Sequence, residues 1–100
     1  MIERMSEEQI RDSHYKANTP FKKRVHFLKM FEQAFWFGDR VTGKPLTKED
    51  AKRRLTHEHE QYIYIEEELT LKQGEEISSR LTKLETLYHI TFNEKFKRGY

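Results

Sequence analysis

The chain has 100 residues, 35% of them hydrophobic and 36% charged, with a formal net charge of +2, no cysteine and 13% aromatic residues. That length allows one hydrophobic core, and the aromatic content separates the chain from charged disordered segments, which lack such anchors. The missing cysteines exclude a disulfide framework and a thiolate zinc site, and a near balance of charge gives no general pull toward nucleic acid.

Ser6-Glu7-Glu8-Gln9 has the form of a capping box, so a short helix is expected from there to about Ala17. The first five residues lead into it without an apolar signal core, and no stretch approaches the roughly 18 apolar residues a membrane helix needs. A soluble, cytoplasmic chain without a membrane partner is the expectation. Thr19-Pro20 then supplies an N-cap and an N1 proline for a second helix ending at Phe37, with Gly38 as its stop.

On a helical wheel, Phe21, Val25, Phe27, Leu28, Phe31, Ala34, Phe35 and Trp36 occupy an arc wider than a half circle, with Met30 and Phe37 outside it. Such a helix is either central to the fold or keeps surface for another chain. If the latter, Met30, Trp36 and Phe37 are the candidate protein-binding residues, because Trp and Phe offer large rigid area and Met adapts to uneven surfaces.

Residues 38–46 hold two glycines, a proline and Asp39 and read as a loop. Gly38-Asp39-Arg40-Val41-Thr42-Gly43-Lys44 has the spacing of a phosphate-binding P-loop as far as the lysine. Pro45 then stands where a magnesium-binding hydroxyl is needed, and the segment follows a helix where that motif needs a strand, so the reading is a turn.

Thr47 opens the next helix, with Leu46 and Ala51 placed as a hydrophobic staple. Ala51, Leu55, Glu58, Tyr62, Ile65 and Leu69 step by four and three, which keeps one narrow stripe. Beyond Gly74 the rhythm resumes in a shifted register as Ile77, Leu81, Leu84 and Tyr88. The shift predicts a turn at Gly74 between two antiparallel helices spanning 47–98, with one helix running through Gly74 as an alternative.

The competing signal is a strand at Tyr62-Ile63-Tyr64-Ile65, from its alternation and aromatic content. Acid-before-base pairs four apart favour helix: Glu49/Arg53, Asp50/Arg54, Glu68/Lys72, Glu76/Arg80 and Glu94/Arg98. The fold expected is therefore all-α, a small bundle of about four helices with a C-terminal antiparallel helical hairpin. Gly74–Leu81 is faintly similar to the first helix of a helix-turn-helix reader, but Thr82 and Lys83 replace the turn glycine and buried apolar residue that motif needs.

Catalytic and metal chemistry find little support. His57 and His59 point about 200° apart on a helix and cannot grip one ion together, and they would share a face only on a strand. No Gly-x-Ser-x-Gly elbow or cysteine nucleophile occurs. The expectation is a chain that is not an enzyme and carries no cofactor or metal. It would act as an interaction module, a small regulator or inhibitor with a protein partner and a tendency to self-associate. The alternative is a nucleic-acid binder using Lys22, Lys23, Arg24, Lys52, Arg53 and Arg54, with Lys95, Lys97 and Arg98 as further bases.

Overall fold

A computed structural model describes residues 2–97. The fold is all-α: α1 (Glu7–Lys16), α2 (Pro20–Phe37), α3 (Lys48–Ile65) and α4 (Leu71–Phe92), with a short 3-10 turn, Glu66–Glu68, between the last two. No helix of the described residues is long and apolar enough to cross a membrane.

Each helix begins where side-chain chemistry can satisfy its unpaired amides. Ser6 and Gln9 cap α1 reciprocally, the Thr19 hydroxyl accepts from the Lys22 amide at the start of α2, and Thr47 accepts from the Asp50 amide at the start of α3. Gly38 ends α2 at φ +84°, a conformation that strains any side chain, and an added Cβ would come within 3.0 Å of the Lys44 carbonyl oxygen. The loop behind it closes on Asp39, whose amide donates to the Lys44 carbonyl and whose carboxylate accepts from the Val41 and Thr42 amides. The segment with P-loop spacing is thus a self-closed turn following a helix.

The core lies among α2, α3 and α4: Leu28 and Phe31, Ala51 and Leu55, Ile65, and Ile77, Leu81, Leu84 and Tyr88. Helix α2 is the central element, in contact with α1, α3 and α4. Arg24 meets Glu58 while Phe31 lies under Arg54, so α2 and α3 run in opposite directions. Tyr62 reaches Gly74 and His59 reaches Glu85, which makes α3 and α4 an antiparallel hairpin.

The turn of that hairpin is not at Gly74. Helix α3 stops at Ile65, the chain passes through Glu66–Glu68 and an extended Leu69, and α4 starts at a Thr70–Gln73 capping box. Gly74 sits in the first turn of α4, its amide bonded to the Thr70 carbonyl. Segment 62–71 is accordingly neither a strand nor a continuous helix. The register shift in the apolar stripe comes from residues 66–70, and α4 runs unbroken through Thr82 and Lys83.

The C-terminal boundary also moves. Helix α4 ends at Asn93, which adopts the left-handed conformation (φ 54°, ψ 37°) that asparagine tolerates at a helix end. Residues 93–97 fold back so that Phe96 stacks on His59, ring centroids 5.7 Å apart, and meets Tyr88 edge-on, while the Tyr88 hydroxyl donates to Glu94 at 2.6 Å. That bond and the burial of the ring push the Tyr88 pKa up to about 12, with burial the larger cause.

Of the ion pairs expected along the helices, Glu76–Arg80 forms at 3.9 Å, whereas Arg53 turns to Asp50 and Arg54 to Asp39. Glu68 and Lys72 are separated by the start of α4. Glu94 lies beyond the helix, and Arg98 falls outside the described residues.

Thr70→Ala should lower stability by about 1 kcal/mol through loss of the cap. Gly74→Ala should be neutral or stabilise by up to about 1 kcal/mol, because the new Cβ meets only the Tyr62 hydroxyl at an ordinary 3.6 Å. Urea unfolding of both variants checks this, and marked destabilisation by Gly74→Ala would return the turn to residue 74.

Candidate functional site

Helix α2 encloses polar as well as apolar residues: His26, Glu32 and Gln33 are buried along with Leu28, Phe31 and Ala34. His26 faces α1, with Nδ1 2.8 Å from the Ser13 hydroxyl and its ring 5.3 Å from that of His14. Glu32 meets Lys83 of α4 at 2.7 Å. Gln33 grips an extended segment near the N-terminus by both ends of its amide: Oε1 accepts from the Met5 amide at 2.8 Å and Nε2 donates to the Glu3 carbonyl at 2.9 Å. Arg40 donates to the Met5 carbonyl, so residues 3–5 form a strap across the C-terminal half of α2.

What α2 leaves uncovered is its fringe. Phe27 is 40% exposed, Trp36 51% and Phe37 39%, whereas Leu28, Phe31 and Ala34 are buried and Phe21, Val25 and Phe35 pack on the core. The structure sorts the three sequence-predicted binding residues into two adjoining depressions. Met30 and Phe37 share a groove of about 210 Å³ with Val41 and with Arg4, Arg40 and Arg54. Trp36 and Phe37 share another, of about 310 Å³, with Pro45, Leu46 and Thr91. Phe37 belongs to both, and the surface continues onto Val41, 95% exposed at the crest of the loop.

The six basic candidates do not form one surface. Arg24 is half-buried against the buried Glu58, Nη1 lying 3.1 Å from Oε1, with its guanidinium 5.0 Å from the centre of the Phe27 ring. Arg54 covers the Phe31 ring at 4.7 Å and stands 3.9 Å from Asp39. Both arginines line the same cleft as Glu58 and His57, where burial raises the Glu58 pKa against the opposing pull of Arg24, His57 and Arg54. Burial also lowers the Arg54 pKa, against the attraction of Asp39, Glu58 and Asp50. Lys22, Lys23, Lys52 and Arg53 are exposed, but the opposed directions of α2 and α3 put the first two beside the C-terminal half of α3 and the other two near its start. Lys95 and Lys97 lie on the returning tail, beyond the helix end.

His57 is exposed and His59 is buried between Glu85 and Phe96, as their separation on a helix requires. Among the described residues, no three His, Asp or Glu side chains are placed to hold a metal ion. A depression of about 770 Å³ lies beside the hairpin turn, between Tyr62 and the Leu71–Thr82 side of α4, and among the described residues its titratable groups are Tyr62, Glu66 and Glu75.

Comparison of this chain with protein-family models, with curated proteins and with solved structures found no match.

Sequence reasoning had not singled out Gln33, Arg40 or Val41. A polar Gln33 on so aromatic a helix is the one signal that could have pointed to the strap, because a buried amide needs partners. Nothing local marked Arg40 or Val41.

Burial, with smaller contributions from His14 and Lys29, holds the His26 pKa below its ordinary 6.5. As pH falls, the unfolded chain therefore takes up this proton first. The stability secured by a neutral His26 is complete above about pH 6.5 and declines below it, until the folded ring titrates as well. The thermal midpoint should drop on going from about pH 7.5 to about pH 5.5, and His26→Gln should shrink that drop. An equal drop in the variant would remove His26 as its source.

Proposed function

We propose that this chain is a non-catalytic helical interaction protein, a small regulator or inhibitor that binds another protein through the C-terminal end of α2. The observation that carries the reading is the half-exposed pair Trp36 and Phe37 at the end of a helix whose other large apolar residues are mostly packed. Exposed Trp, with aromatic and Met neighbours, is the side-chain chemistry enriched at interface centres. The two adjoining grooves give a partner relief to grip, and the Gln33 strap with the Asp39 turn holds their walls in place.

The buried ionisable groups support a non-catalytic role, because each joins two segments of the fold. Arg24–Glu58 joins α2 to α3, Glu32–Lys83 joins α2 to α4, and His59–Glu85 joins α3 to α4. None of the three pairs lines the grooves beside Trp36 and Phe37. Self-association belongs to the same reading, since Ile90 and Leu71 leave apolar side chains exposed near either end of α4.

Trp36→Ala and Phe37→Ala should each weaken binding of a partner captured from the source cells by about 2 kcal/mol or more, roughly thirtyfold, while helical content and thermal midpoint stay close to those of the parent. Calorimetric titration and circular dichroism read the two effects separately. Unfolding of both variants would assign these side chains to the core. Duplex binding at low salt that falls steeply with ionic strength would replace this reading with that of a nucleic-acid binder.

A further inference from the structure

The groove that holds Met30 and Phe37 has an unbalanced rim. Three guanidinium groups border it, from Arg4, Arg40 and Arg54, and its lining contains one carboxylate, Asp39. That carboxylate is already engaged. Its Oδ1 accepts from the Val41 amide at 2.7 Å and the Thr42 amide at 3.1 Å, and its Oδ2 stands 3.9 Å from Arg54, the outer limit of an ion pair. Arg4 and Arg40 have no carboxylate at ion-pair distance among the described residues, and the bond from Arg40 to the Met5 carbonyl leaves its charge uncompensated.

We propose that this groove takes an acidic segment of a partner protein, with one apolar side chain seated among Met30, Phe37 and Val41 and aspartate or glutamate carboxylates on Arg4 and Arg40. The inference rests on the interaction reading above and gives the partner its chemistry. Size favours a side chain over a small-molecule ligand, because about 210 Å³ falls below the range of roughly 300–1,000 Å³ typical of ligand pockets. The rim is arginine rather than lysine, and a planar guanidinium can bind a carboxylate through two parallel hydrogen bonds. It is also set in advance: Gln33 and Arg40 fix the backbone on both sides of Arg4, and Asp39 shapes the turn that carries Arg40 and Val41. Less side-chain and loop freedom is therefore lost on binding.

A second copy joined symmetrically through this groove is a poor occupant, since a twofold interface sets like against like and would bring the arginine rims together. Nucleic acid is disfavoured by the apolar Met30, Phe37 and Val41 and by a lining that contains no lysine.

The test is selection of the full chain against a displayed library of random peptides, followed by titration of the enriched peptides. Trp36, the single tryptophan, gives an intrinsic fluorescence signal next to the groove. The expected peptides pair an aliphatic or aromatic residue with two or more acidic ones, and their affinity falls with salt. Arg4→Glu and Arg40→Glu should each weaken them about tenfold or more. Arg4→Glu, on an exposed residue of the strap with no ion pair, keeps the test clear of folding effects, and circular dichroism checks both variants.

Peptides without acidic enrichment, or ones bound equally by both arginine variants yet lost in Phe37→Ala, would overturn the acidic specificity and leave the interaction reading standing. Failure of any peptide to enrich would overturn both. Self-association of the parent chain that Arg40→Glu abolishes would make the occupant a second copy and overturn the proposal as well.

Discussion

A helix carrying Phe21, Val25, Leu28, Phe31, Ala34 and Phe35 along 18 residues must be walled on more than one side, and the rest of this fold is arranged to meet that demand. Helices α3 and α4 cover the apolar arc and complete the core with Leu55, Ile77, Leu81, Leu84 and Tyr88. Helix α1 then covers His26, and the strap at residues 3–5 covers Gln33. Helix α1 has no buried residue of its own and is held through Ser13, His14 and the following Ala17 against a helix already fixed by its other neighbours. The hierarchy follows from burial, since apolar area removed from water is the dominant favourable contribution to folding.

Packing alone leaves several ways to stack three amphipathic helices, and the buried pairs narrow the choice. Arg24 and Glu58 must meet, because either one alone would leave an enclosed charge uncompensated, at a cost of several kcal/mol. Buried Glu32 meets Lys83 and buried His59 meets Glu85, so each of the two other helix pairs also carries a specific polar contact. Such contacts add little net stability compared with apolar residues of equal size, but they penalise sliding of one helix along another. Glu58 standing within an otherwise apolar stripe is explained in this way: the stripe turns polar where α2 presents Arg24.

Much of this was legible in the chain because it is written locally. Ser6 with Gln9, Thr19 with Pro20, Gly38 and Thr47 each fix a helix boundary by chemistry within a few residues, and all four boundaries stand where the sequence puts them. The hairpin turn was misplaced for a physical reason as well. Gly74 carries the stronger turn signal by residue type, whereas Thr70-Leu71-Lys72-Gln73 carries a capping box, and satisfying two orphan amides outweighed the small cost of a glycine in a first helical turn. Trp36 and Phe37 could be picked out because they lie at or beyond the edge of the apolar arc. The strap, the arginine rim and the return of Phe96 could not, since each joins residues that are tens of positions apart and leaves no periodic trace.

The returning tail has a consequence for how the molecule completes itself. Pairing of α3 with α4 alone leaves the rings of His59 and Tyr88 at an open edge, and Phe96 on the segment 93–97 covers it. Enclosure of that edge therefore depends on a five-residue segment and a single aromatic ring rather than on helix pairing. Whenever that ring lifts away, the hairpin displays an aromatic edge that the docked segment conceals, and unwanted contacts with other chains then have their best opportunity.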